Sequence, residues 1–241
     1  AQLLDLLYDA SDGFVDPRLR IWIKPRYIQY PSATEPDVIR EMIGAVSGCT
    51  INYNGITSIS EREPYLHYET LVGDTRPNHM LDYDELLFIK AEAAMNGWIS
   101  GSAKEYYEAA IRASIGYWHG VDTSGAELPE SVIEAYLQNV AYDGTLRCII
   151  EQKYIALFWC GMEAWNEYRR TGYPELTIGS ATSNDHILPT RFEYPVNTST
   201  TNPVNYAQAV ARLAESWPGG GDNMRTPVWW SLQAARQSQK P

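Results

Sequence analysis

No run of apolar residues in this 241-residue sequence approaches the roughly 20 that a membrane-spanning helix needs. Basic residues are also short: 19 Lys and Arg face 30 Asp and Glu, for a formal net charge of −11. Phosphate neutralisation takes clustered cations, so this balance argues against a nucleic-acid surface. The 3 cysteines, Cys49, Cys148 and Cys160, give no disulfide framework. Cys148 and Cys160 fall in one helical pattern, about 18 Å apart at 1.5 Å per residue, beyond the reach of a disulfide. At least one thiol is therefore free, and small buried hydrophobes are the favoured reading of these residues. Phenylalanine is scarce, 4 against 17 Tyr and 8 Trp. Rings with polar tips fit wet surfaces, and they fit a Trp-rich helical core equally well. Composition leaves both open.

Chemical signatures are missing too. The 4 histidines (His67, His79, His119, His186) are scattered, without HxxxH or HExxH spacing, and no CxxC offers a zinc site. No GxSxG elbow and no GxxxxGK[ST] phosphate loop occurs. Asp74, Asp82 and Asp84 lack the alternating spacing of a calcium loop. The GGG at 219–221 follows Trp217-Pro218 rather than a strand and reads as a flexible turn. No metal and no cofactor is expected.

What the sequence does have is helical periodicity. Its start, AQLLDLLYDASDGF, reads as the tail of a helix followed by a turn, as if a piece of something longer. Residues 11–80 are irregular, rich in Gly, Pro, Ser and Asn. Within them LRIWIK (19–24) alternates, predicting a half-buried strand with Leu19, Ile21 and Ile23 inside and Trp22 outside, between Arg20 and Lys24. Residues 81–170 carry the helices. Asp82 and Glu85 form a capping-box pattern, followed by a stripe of Leu87, Ala91, Ala94, Met95 and Trp98, with Gly97 as the stop. Ser102 and Glu105 repeat the device before Tyr107, Ala110, Ile111, Ser114 and Trp118. The two helices make an antiparallel hairpin. A shorter helix is predicted from Pro129 to Val140, and a long one from about Thr145 to Arg170, stopped by Gly172 and Pro174. Residues 171–241 are loop-rich, with one last helix after Asn202-Pro203.

The acids of the long helix invite a catalytic reading. On one straight helix Glu151 and Glu163 would stand about 18 Å apart along the axis, whereas paired glycosidase carboxylates need roughly 5–10 Å. Glu163 and Glu167 are one turn apart, but the sequence supplies no obvious group to raise the pKa of either. A wide stripe of Leu146, Ile150, Tyr154, Leu157, Phe158, Gly161, Met162 and Trp165 marks a scaffold helix instead. Arg169 and Arg170 lie in its last turn, where cations complement the dipole. With Glu151 they are expected to tie it to the RFEYP loop at 191–195 and its neighbours.

Four segments, in order and spacing, resemble the SusD/RagB family, in particular its second SusD-like branch: DPRL at 16–19, LLFIKAEAAMNGWISGSAKEYYEAAIRAS at 86–114, EQKYIALFWCGMEAWNEYRRTGYP at 151–174, and RFEYP…NPVNYAQAV…TPVWW at the end. The resemblance implies an all-α fold of tetratricopeptide-like helix pairs, with long irregular loops and minor short strands. It implies an outer-membrane lipoprotein of Bacteroidetes that binds glycans, or in some cases peptides, at the cell surface and caps a SusC-like TonB-dependent transporter. Members are about twice this length, so residues 1–241 correspond to a C-terminal half. The lipid-bearing N-terminal cysteine would lie in the half that precedes it. Binding and delivery require no catalytic residue. Two other readings stand beside this one: a helical-repeat protein-binding scaffold and an all-helical glycan-active enzyme. Since the helix stripes are committed to a core, ligand-stacking rings are expected from the irregular region: Trp22, Tyr27, Tyr30, Tyr53 and Tyr68.

Overall fold

The computed structural model describes residues 2–9, 14–24, 65–66, 71, 80–122, 127–176, 178–179, 182 and 187–231. These residues divide into two compact units, the first reaching to Ala164 and the second beginning at Trp165.

In the first unit, α1 (Gln2–Leu7) leads into β1 (Tyr8–Asp9), which pairs antiparallel with β2 (Phe14–Val15). A helical turn, α2 (Leu19–Trp22), is followed by β3 (Ile23–Lys24), antiparallel to β4 (Tyr65–Leu66). The strand expected over 19–24 is therefore confined to its last two residues. Asp16 and Pro17 explain the correction. The Asp16 carboxylate accepts the Arg18 amide at 2.8 Å and its carbonyl accepts the Leu19 amide at 3.0 Å. This is the capping geometry of an acid before a first-turn proline. Residues 19 and 22 then share one face, and Leu19, Ile21 and Trp22 are all buried.

The helices form the scaffold, and the described residues are mostly helical, as expected. α3 (Tyr83–Met95) and α4 (Ala103–Val121) pack as the predicted hairpin, and α6 (Leu146–Ala156) packs against both. α5 (Glu130–Asn139) lies on α4, joined to it by Arg112, which pairs with Glu130 and Glu134. The α4 stripe is as predicted: Tyr107, Ala110, Ile111, Ser114 and Trp118 are buried, and Ser102 Oγ accepts the Glu105 amide. α3 is rotated from its expected stripe. Phe88 is buried with Leu87 and Ala91, while Trp98 stands outside at 74% exposure. Its capping box is also replaced. Asp82 occupies the cap position without a side-chain cap bond, and the Glu85 carboxylate lies 3.4 Å from Lys153 Nζ in the interior.

The long helix predicted over 145–170 is two helices. α6 ends at Ala156 and α7 (Gly161–Thr171) starts afresh, with Trp159 between them in the left-handed region at φ 77°. The break buries Leu157 and packs Phe158 on the Leu19–Trp22–Trp118 core, while Trp159 and Met162 turn outward. An unbroken 3.6-residue pattern cannot show such a break, since the apolar positions continue across it.

The second unit contains the C-terminal part of α7, then α8 (Thr198–Thr201), α9 (Pro203–Ser216) and a 3-10 turn at Trp229–Ser231. α9 fully buries none of its side chains but half-buries a stripe of Tyr206, Ala209, Val210 and Leu213, and hydrogen-bonded loops complete the unit. The glycines at 219–221 belong to a built turn rather than a flexible one. A Cβ at Gly220 would collide with the Leu213 and Trp217 carbonyl oxygens, and Thr226 Oγ1 bonds both the amide and the carbonyl of Gly221 at 2.9 Å.

Candidate functional site

Of the five rings expected to meet a ligand, Tyr27, Tyr30, Tyr53 and Tyr68 lie outside the described residues. Trp22 is described, and it is not a surface ring. It is 0% exposed, stacked on Phe158 at 4.2 Å and edge-on to Trp118 at 5.1 Å. Its indole N–H finds no acceptor among the described residues. The helical turn over 19–22 turned it inward, and no ring face is left for a ligand.

Behind Trp22 lies a buried polar cluster. The Arg18 guanidinium takes both oxygens of Asp16, at 2.9 and 2.6 Å, with both side chains fully buried. It also donates to Ser114 of α4 at 3.0 Å and to Tyr136 of α5 at 3.0 Å. Gln152 of α6 accepts from the Tyr136 hydroxyl at 3.0 Å. Burial alone would lower the Arg18 pKa, but Asp16 and Tyr136 outweigh it and hold the guanidinium above its ordinary range. Burial raises the Tyr136 phenol, so it stays protonated as a donor. With every partner satisfied and solvent excluded, the cluster ties the DPRL turn to three helices. Its chemistry is that of a fastening, and breaking such a pair by removing one partner costs about 3–5 kcal/mol.

The second unit carries a different constellation. The Arg169 guanidinium lies over the Trp165 ring at 3.6 Å and the Trp230 ring at 4.6 Å, within cation–π range of both. It donates to the Thr190 carbonyl at 3.2 Å, which joins α7 to the loop beginning at Arg191, as expected. Arg170 and Glu151 are tied locally, to Glu167 at 2.7 Å and to Arg147 at 2.8 Å. Trp165 donates its indole N–H to the Pro189 carbonyl at 2.8 Å and meets Phe192 edge-on at 5.0 Å. Nearby, Asp222 accepts from Arg191 at 3.0 Å, from the Tyr194 amide at 2.9 Å and from the Tyr206 hydroxyl at 3.0 Å. Burial pushes the Asp222 carboxyl up, but these three donors win and hold it below its ordinary range. Phe192, Tyr194 and Trp229 are left 67%, 37% and 83% exposed. These exposed rings lie beyond the irregular region before residue 80, from which the sequence led ligand contacts to be expected.

Among the described residues no three His, Cys, Asp or Glu side chains gather as a metal site. No described helix is long and apolar enough to cross a membrane. Cys148 and Cys160 are both free thiols.

Residues 4–195 match the model of a SusD-like family described as starch-binding and associating with the outer membrane. No curated protein matches the sequence. Solved structures do. A SusD homologue from Bacteroides fragilis is 26% identical with a TM-score of 0.68, covering 90% of this chain and 48% of its own. Another, from Parabacteroides distasonis, is 27% identical with a TM-score of 0.57, covering 74% of this chain and 38% of its own. A chitin-binding protein is 29% identical with a TM-score of 0.55, covering 70% of this chain and 34% of its own. The chain thus spans about a third to a half of the length of these relatives. The helical hairpin, the DPRL fastening and the two-part α6–α7 segment all fall within the matched residues, and the chain belongs to the SusD-like family.

Proposed function

We propose that this chain is part of a cell-surface protein that binds glycan nutrients, with peptides as the alternative ligand, and passes them to a SusC-like TonB-dependent transporter. In this reading the protein sits on the outer face of the outer membrane, held by a lipid on an N-terminal cysteine that this sequence does not contain. It binds and delivers rather than catalyses. The observation that carries the reading is the match of residues 4–195 to a family described as starch-binding at the outer membrane. The chitin-binding relative supports a glycan over a peptide.

Tyr27, Tyr30, Tyr53 and Tyr68 remain the rings proposed to stack on the ligand from the irregular region. Calorimetry on the full-length protein tests this with maltoheptaose, chitohexaose and a peptide mixture. At least one oligosaccharide should bind. An Ala substitution at one or more of the four tyrosines should weaken it about fivefold, the equivalent of roughly 1 kcal/mol for one stacked ring. Failure of every oligosaccharide to bind would defeat the glycan reading. Binding that ignores all four substitutions would place the contact elsewhere.

A further inference from the structure

Asp84 extends the Arg18 cluster to one more helix. It lies in the first turn of α3, 7% exposed, with its Oδ1 accepting the Glu85 amide at 2.8 Å. A further hydrogen bond joins it to the Ser114 hydroxyl of α4, the same hydroxyl that meets Arg18 Nη1 at 3.0 Å. A guanidinium only donates, so Ser114 accepts from Arg18 and its single proton is left for Asp84. The bonds therefore run from Arg18 to Ser114 to Asp84, an order that holds while Asp84 is a carboxylate. Charge is not balanced along them. Arg18 is taken by Asp16, and Glu85 lies against Lys153 of α6. Asp84 is the surplus negative charge of a buried network.

The groups around it offer little relief. α3 adds the Asp82 carboxylate, and the segment between α6 and α7 adds Cys160, whose thiol burial pushes up. α4 presents the Ser114 hydroxyl, which does not titrate, and α5 brings Tyr136, already bonded to Arg18 and Asp16. Burial is the largest influence on the Asp84 carboxyl and raises it, outweighing the attraction of Arg18 from beyond the hydroxyl. With a proton on Asp84, a second complete set of bonds is available. The acid O–H donates to Ser114 Oγ, Arg18 still donates there, and the Ser114 proton turns back to the Ala110 carbonyl one helical turn earlier. We infer that Asp84, Ser114 and Arg18 form a proton-linked latch that holds the Asp16–Leu19 turn, and with it Leu19 and Trp22, more firmly when Asp84 is neutral. One proton enters from solvent, and no covalent bond other than its own O–H is made or broken. Opening the turn withdraws Arg18 and admits water to Asp84, so the closed form binds the proton more tightly and acid favours closure.

The test is hydrogen–deuterium exchange with mass spectrometry on the full-length protein, reading the peptide over residues 16–22 and corrected for the intrinsic pH dependence of exchange. It is run at about pH 7 and at about pH 4.5, which lies just above the ordinary carboxyl value of 3.8. Wild type is compared with Ser114→Ala and with Asp84→Asn, whose amide keeps the Glu85 bond and donates to Ser114 as the protonated acid does. In wild type the peptide is expected to gain about fivefold in protection from neutral to acid. Asp84→Asn should show the higher protection at both values, so that the two proteins converge in acid. Ser114→Ala should lower protection and abolish the response of the turn to pH. A ratio between wild type and Asp84→Asn that is the same at both values overturns the latch. A pH response that survives in Ser114→Ala overturns it too, because the hydroxyl then carries nothing between Asp84 and Arg18. If Asp84→Asn does not fold, wild type decides alone: protection of 16–22 that stays level or falls in acid removes the latch.

Discussion

Asp222 shows how much one side chain can organise. A single carboxylate, 13% exposed, gathers Arg191 and the Tyr194 amide from the 191–195 loop and the Tyr206 hydroxyl from α9. Asp222→Asn removes the charge that these donors share and is expected to cost about 1–3 kcal/mol at neutral pH, measured by chemical denaturation. The pH dependence has a definite sign. The folded carboxyl titrates below its ordinary value, so its stabilisation is present above the unfolded pKa near 3.8 and is lost as pH falls through the folded value. The gap between wild type and Asp222→Asn should therefore close in acid. Asp84 has the opposite sign. Burial raises its carboxyl against the Glu85 amide and Ser114 hydrogen bonds, so its contribution is greatest in acid and declines as pH rises through the folded value. A gap between wild type and Asp222→Asn that widened in acid would contradict this account.

Among the elements, the end of α3 was legible because every part of it is local. Gly97 adopts φ 73°, its amide bonds the Ala94 carbonyl at 3.0 Å, and the Trp98 amide reaches back to Ala93 at 2.9 Å. That is the Schellman closure, and it places a residue without Cβ where the helix must turn left-handed. A Cβ there would meet nothing within 4 Å, so Gly97→Ala tests backbone strain alone. A loss of about 1–2 kcal/mol is expected, read from the denaturation midpoint. An unchanged midpoint would mean that the turn relaxes without cost. The capping by Ser102 and the stop at Gly172, φ 81°, were legible for the same reason. The break at 157–160 was not, because its advantage lies in placing Phe158 on Trp22, which is remote in sequence.

Over the molecule as a whole, α3 is apolar on two sides. Leu87, Phe88 and Ala91 face the core, while Tyr83, Leu86 and Ile89 are 68%, 44% and 45% exposed, next to Met80 and Leu81 at 83% and 66%. Stacked helix pairs bury such faces against a neighbouring repeat. Residues 1–241 expressed alone are therefore expected to bind a hydrophobic dye and to melt without a sharp transition. A cooperative melt with no dye binding would show that this face needs no cover. The sequence by itself determined the α3–α4 hairpin, the start of α4 at Ser102 and the stops at Gly97 and Gly172, because capping and amphipathic stripes act within a turn or two of chain. It also held the Asp16-Pro17 start signal, which outweighs the alternation of LRIWIK. Only the tertiary structure decided that Trp22 is core, that α6 and α7 are separate, and that Arg18 fastens a loop to residues as distant as Gln152, 134 positions away. Those outcomes depend on which distant groups exclude water from one another, and no local pattern records that.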